Sequence, residues 1–123
     1  MVILQYCIRR LPALTPEEFS AYWRGPHAEL VKSIAASIGV IHYVQHHSIA
    51  PEAARQMIAA RGLEEPFDGI AEIGFESFES LLRGNLDPNA AAIQARLAED
   101  EAKFIDFKRS TVLFSQANQV IVG

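Results

Sequence analysis

Thr15-Pro16-Glu17-Glu18 constrains what this chain can fold into more than any other stretch. Thr15 can cap a helix, Pro16 suits the first helical position, where no backbone N–H is missed, and Glu18 stands three residues after the cap, able to reach back to it. A helix must open here. Upstream, Val2-Ile-Leu-Gln-Tyr-Cys-Ile8 is apolar and rich in branched side chains and stops before Leu11-Pro12, as a buried strand followed by a loop would.

The helix carries Phe19, Trp23, Leu30, Ile34 and Ile38 at three-to-four spacing. Gly25-Pro26 interrupts it, and the missing proline N–H predicts a kink or a restart at Pro26. Gly39 closes it. Val40 to Ser48 then alternates as a strand, with Val40, His42, Val44 and His46 on one face and Ile41, Tyr43, Gln45 and His47 on the other. Pro51 to Arg61, ended by Gly62, reads as an alanine-rich surface helix. Gly69 to Glu76 is a third strand, Ser77 to Arg83 a helical turn before a break at Gly84-Asn85. Asp87-Pro88 is expected to cap a last helix whose stripe is Ile93, Leu97, Phe104 and Phe107. Thr111 to Phe114 is a fourth strand that Val120 to Val122 can extend.

The order strand, helix, strand, strand, helix, strand, with one extra helix, satisfies the connection rules as an α+β fold: a ferredoxin-like four-stranded antiparallel sheet with both main helices on one face. With 123 residues, half of them hydrophobic, the chain reads as one domain over residues 1–123 with a small core. Apolar residues on both faces of the first two strands make the open sheet face costly in water, which points to a two-fold homodimer through that face.

A net charge of -4, without any basic run longer than Arg9-Arg10, argues against nucleic acid as a partner. Cys7 stands alone, so no internal disulfide forms and a reducing cytoplasm fits. The apolar run from Val2 to Ile8 is short and precedes its basic residues, the reverse of a secretory signal, and no other run suits a membrane span. No glycine-rich phosphate loop or serine elbow is present, and no cofactor is implied.

All four histidines fall between His27 and His47. His27, four residues after Trp23, lies on the buried stripe of its helix, and a restart at Pro26 would place it in a first turn where the dipole favours a neutral ring; it serves either to move a proton or, bonded to a backbone carbonyl, to pack. Asp100 interrupts the other helix in the same way, between Leu97 and Phe104; it either shares a pocket with His27 or pairs at the surface with Arg96 or Lys103. Glu72, flanked by Ile70, Ala71 and Ile73, can meet His42 or His46 across the strands, as a structural hydrogen bond or as a base with its orienting acid. No metal is expected: His42 and His46 stand about 13 Å apart along one strand, and His46 and His47 face opposite ways. A one-residue register error would exchange His46 for His47 at the pocket.

Leu14 to Val31, His42-Tyr-Val-Gln-His46, Phe67 to Glu72 and Glu99 to Asp106 together resemble the EthD family, in order along most of the chain. The resemblance implies a dimeric α+β barrel in which each protomer keeps a pocket between its sheet and helices. It also implies kinship with fungal enzymes that dehydrate or decarboxylate aromatic polyketides and with cofactor-free monooxygenases, isomerases and cyclases. By position, His27 and His46 match the family's histidines, Asp68 and Glu72 its acidic strand block, and Asp100 and Phe104 its last-helix motif.

The expected function is proton-transfer chemistry without a cofactor on a small apolar aromatic or carbonyl compound: dehydration, decarboxylation, isomerisation or oxygenation. His27, His46 and Glu72 are the expected catalytic residues, His46 or His27 moving the proton and Glu72 orienting it. Tyr22, Trp23, Tyr43, Asp68, Phe75, Asp100 and Phe104 are expected to bind the substrate. The alternative is a dimer that binds a hydrophobic metabolite without transforming it.

Overall fold

A computed structural model describes residues 1–122. Strand β1 (Val2–Ile8) leads to helix α1 (Pro16–Tyr22), a π-helical turn at Trp23–His27, helix α2 (Ala28–Ile34) and a 3-10 turn at Ala35–Ile38. Then follow β2 (Val40–His47), α3 (Pro51–Arg61), β3 (Gly69–Phe75), α4 (Phe78–Asn85), α5 (Ala90–Glu101), a 3-10 turn at Phe107–Arg109 and β4 (Thr111–Ser115). The four strands form one sheet in the order β2-β3-β1-β4, every neighbouring pair antiparallel. This is the ferredoxin-like α+β arrangement, with β1 central between β3 and β4.

The capping box at Thr15 forms as the sequence requires: Thr15 Oγ1 accepts from the Glu18 amide at 3.1 Å, and the Glu18 carboxylate accepts from the Thr15 amide at 2.9 Å. Pro26 lies inside a π-helical turn that joins α1 to α2, so the helix does not restart with a fresh N-terminus there. The ladder instead slips by one residue, and the Ala28 N–H reaches back to the Trp23 carbonyl, so the backbone stays right-handed through the turn. A π-turn absorbs the missing Pro26 donor, and no free helix N-terminus exists beside His27.

The other helices differ from expectation in small, explicable ways. α4 runs through Gly84 because that residue lies on the Ile38 backbone, where a Cβ would come within 2.7 Å of the Ile38 carbonyl oxygen. α5 starts at Ala90, since Asp87 caps a preceding turn by accepting from the Asn89 amide. The helix ends at Glu101, leaving Phe104 in the core and Phe107 largely exposed. Residues 116–122 are not in a strand, so Val120 to Val122 do not extend β4.

Ile8, Phe19, Trp23, Ala71, Phe104 and Ile105 form the core between the sheet and α1. Burying large side chains of this kind is worth roughly 1.5–3 kcal/mol each. The Trp23 indole lies over Gly69 at the start of β3, where a Cβ would come within 2.4 Å of the ring. Strand β3 therefore begins with the one residue that admits the tryptophan.

Candidate functional site

Alternation along the strands decides which side chains face the helices. On β1 these include Leu4, Tyr6 and Ile8, on β3 Ala71, Ile73 and Phe75, and on β2 Tyr43. A bulge between Val40 and His42 resets the phase of β2, so Val40 faces the helices with Tyr43 while His42 does not. Between this sheet face and the helices lies a cavity of about 340 Å³, at the small end for ligand sites. Its walls are mostly aliphatic and aromatic, and its polar groups come from His27, Tyr6, Tyr43, Gln94 and Glu101.

His27 is only 5% exposed. Its Nδ1 lies 2.7 Å from Asp100 Oδ2, and its ring meets Phe104 edge-on with centroids 4.9 Å apart. Tyr22 donates its hydroxyl to Asp100 Oδ1 at 2.6 Å, and Lys103 Nζ stands 3.5 Å from the same oxygen. Burial pushes the Asp100 carboxyl up, but hydrogen bonds from Tyr22 and His27 outweigh it and hold the group below its ordinary range. An ionised Asp100 only accepts, so His27 Nδ1 carries a proton. In the neutral ring Nε2 is then the basic nitrogen, and it has no hydrogen-bond partner among the described residues.

The neighbouring Glu101 points to the sheet. Its Oε1 accepts from the Tyr6 hydroxyl at 3.0 Å. Burial, with the charge of Asp100 adding to it, raises the Glu101 carboxyl despite the Tyr6 hydrogen bond. Burial likewise raises the Tyr6 and Tyr43 hydroxyls.

Of the residues expected at the site, Trp23, Tyr43 and Phe75 line this cavity with His27. Tyr22, Asp100 and Phe104 stand behind the imidazole and hold it. His46 and Glu72 are elsewhere, which corrects the expectation of a single shared pocket. Glu72 pairs with Val44 in register, so His42 and His46 flank it diagonally on the sheet face away from the helices. Both reach it, His42 Nε2 at 2.6 Å and His46 Nε2 at 3.4 Å. The His42 hydrogen bond, helped by the His46 contact, lowers the Glu72 carboxyl against the opposing effect of burial. Asp68 also lies outside the cavity, its carboxylate held by the Arg10 backbone and guanidinium, both at 2.8 Å. No group of three or more His, Cys, Asp or Glu side chains among the described residues is arranged to hold a metal.

The sequence reading missed Tyr6, Gln94 and Glu101. Helical spacing carries the signal for Glu101, four residues after Leu97 and eight after Ile93 on one stripe. Tyr6 alternates with Leu4 and Ile8. The facing of β2 was open, and the structure turns Tyr43, Gln45 and His47 toward the helices: Gln45 Nε2 donates to the Trp23 carbonyl, and the His47 ring packs on the Trp23 indole at 4.5 Å.

Comparison with known proteins agrees with this architecture. The chain is 26% identical over 119 residues to the dehydratase aurZ of Gibberella zeae, a match covering 91% of this chain and 74% of that protein. An EthD family protein of Bacillus halodurans C-125 superposes with a TM-score of 0.60 at 17% identity, over 96% of this chain and 100% of that one. A dimeric protein of unknown function and ferredoxin-like fold from Bacteroides fragilis NCTC 9343 gives a TM-score of 0.58 at 10% identity, over 94% and 95% of the two chains. The EthD domain model matches residues 11–108, and the chain belongs to the EthD family.

Proposed function

We propose that this EthD domain is a cofactor-independent enzyme that moves protons on a small, largely apolar carbonyl or phenolic compound, with His27 as the base and Asp100 as its orienting acid. The observation that carries the reading is the 2.7 Å His27–Asp100 pair, which leaves the second ring nitrogen as the group His27 can offer to the cavity. A base fixed in tautomer and direction inside a mostly apolar hollow is what proton abstraction next to a carbonyl requires. Trp23, Tyr43 and Phe75 supply walls suited to a flat or aliphatic substrate. Among the reactions open to such a site we favour elimination of water, in keeping with the likeness to a dehydratase.

The catalytic pair in this reading is His27–Asp100. His42, His46 and Glu72 belong to the open face of the sheet, which we propose is covered by a second copy of the chain. Ile3, Cys7, Val44 and Ile70 on that face are only partly exposed in the isolated chain, and the Bacteroides fragilis neighbour is described as dimeric.

The test is turnover of a panel of aryl hydroxy ketones and lactones by the wild-type protein, His27→Gln and Asp100→Asn. Loss on the order of 10²–10⁴-fold is expected for His27→Gln. A ligand that binds and is recovered unchanged from every protein, wild type included, would make this a carrier and end the enzymatic reading.

A further inference from the structure

Asp100 and Glu101 are consecutive on α5, yet one carboxylate anchors the imidazole of His27 and the other the phenol of Tyr6 on β1. Glu101, Tyr6 and His27 all line the cavity, whereas Asp100 does not. The cavity thus receives a base from the helical side and a carboxyl from the C-terminal turn of α5. Glu101 Oε1 is occupied by Tyr6, and Oε2 has no hydrogen-bond partner among the described residues.

We propose that Glu101, held by Tyr6, is the general acid that works with His27 in this cavity, and that the substrate class is therefore a β-hydroxy carbonyl compound with an apolar or aromatic body. The inference rests on His27 being the base. His27 Nε2 takes the proton from the carbon next to the carbonyl. The electron pair left behind forms the carbon–carbon double bond as the C–O bond to the hydroxyl breaks. The proton on Glu101 Oε2 goes to the departing oxygen, and water leaves. The proton on His27 returns to Glu101 through solvent once the cavity empties, so the net change is loss of one water with no oxidant or reductant.

A hydroxyl is a poor leaving group, and its departure is what demands a second group in the cavity that can give it a proton. Burial and the anionic Asp100 beside it favour the proton on Glu101, against the opposing hydrogen bond that Tyr6 donates from β1. Tyr43 from β2 and His27 from the π-turn share the cavity without making an ion pair to it. The two adjacent carboxyls are driven in opposite directions, Asp100 toward the ionised form that orients His27 and Glu101 toward the form that holds a proton.

The experiment compares two substrates in the full chain: the aldol of benzaldehyde and acetone, and the same ketone with a para-nitrophenoxy group in place of the hydroxyl. The second leaving group departs without protonation. Glu101→Gln, which keeps the hydrogen bond to Tyr6, is expected to lose about 10²–10⁴-fold on the hydroxy ketone and to be nearly unchanged on the nitrophenoxy ketone. His27→Gln is expected to lose on both. Equal loss by Glu101→Gln on both substrates, or loss on neither, overturns the role of Glu101 while the His27 reading stands. Full activity of His27→Gln, or no turnover of either ketone by the wild type, removes that reading and this inference with it. Should Glu101→Gln fail to fold, infrared titration of the wild-type carboxyls decides the point. A carboxyl ionising above the exposed glutamates, and displaced by Tyr6→Phe, supports the assignment, and its absence overturns it.

Discussion

Asp100 and Glu101 are adjacent and burial raises both carboxyls, but hydrogen bonds from Tyr22 and His27 outweigh it at Asp100 alone, and this gives the two residues opposite effects on stability. Asp100 ionises more readily in the folded chain, so its contribution is present above the ordinary carboxyl pKa of about 4 and is lost as pH falls through its lower folded value. Glu101 holds its proton more tightly when folded. Its contribution is present below the ordinary glutamate pKa of about 4.3 and is lost as pH rises through the folded value. Glu101→Gln is therefore expected to flatten the loss of stability as pH rises from that point toward neutrality, measured as urea midpoints across a pH series. An unchanged slope would mean that Glu101 ionises normally in the fold. At this scale the sequence was half legible. His27 and Asp100 are polar interruptions in apolar stripes and can be found by counting. Glu101 and Tyr6 continue their stripes as polar residues, and only the sheet opposite α5 shows that they meet.

The π-turn at Trp23–His27 and the first residue of β3 are coupled through one side chain. Trp23 lies over Gly69 and stacks on His47, with Gln45 bonded to its carbonyl. Gly69→Ala forces a methyl group into the indole and is expected to cost about 1–3 kcal/mol, read from chemical denaturation. Thr15→Ala removes the cap of α1 and is expected to cost about 0.5–2 kcal/mol. The start of that helix was written in four residues. The handling of Pro26 was not, because local sequence specifies the missing donor but not whether the ladder breaks or slips. The facing of β2 escaped for a similar reason: a single bulge at Val40/His42 moves Val40 to the helix side and leaves His42 on the other, and bulges carry no fixed sequence mark.

As a whole the molecule divides its histidines between two faces of one sheet. His27 and His47 lie on the helix side, and His42 and His46 meet Glu72 on the other. The order of elements and the short connections made the ferredoxin-like topology readable from the sequence. The separation of Glu72 from His27 was not readable, because it depends on register across three strands. If the open face pairs two copies, Ile70→Lys is expected to shift the protein toward monomer in sedimentation velocity while leaving its circular dichroism intact; an unchanged sedimentation coefficient would place any interface elsewhere. The central claim is that the reactive nitrogen is His27 Nε2, inside the cavity. Nitrogen-15 NMR of the histidine rings tests it most directly, with 2-naphthol as the cavity probe. The account predicts a His27 ring protonated at Nδ1 whose Nε2 signal moves on titration with the phenol while those of His42 and His46 stay in place. Movement of the His42 and His46 signals with His27 unaffected would contradict it.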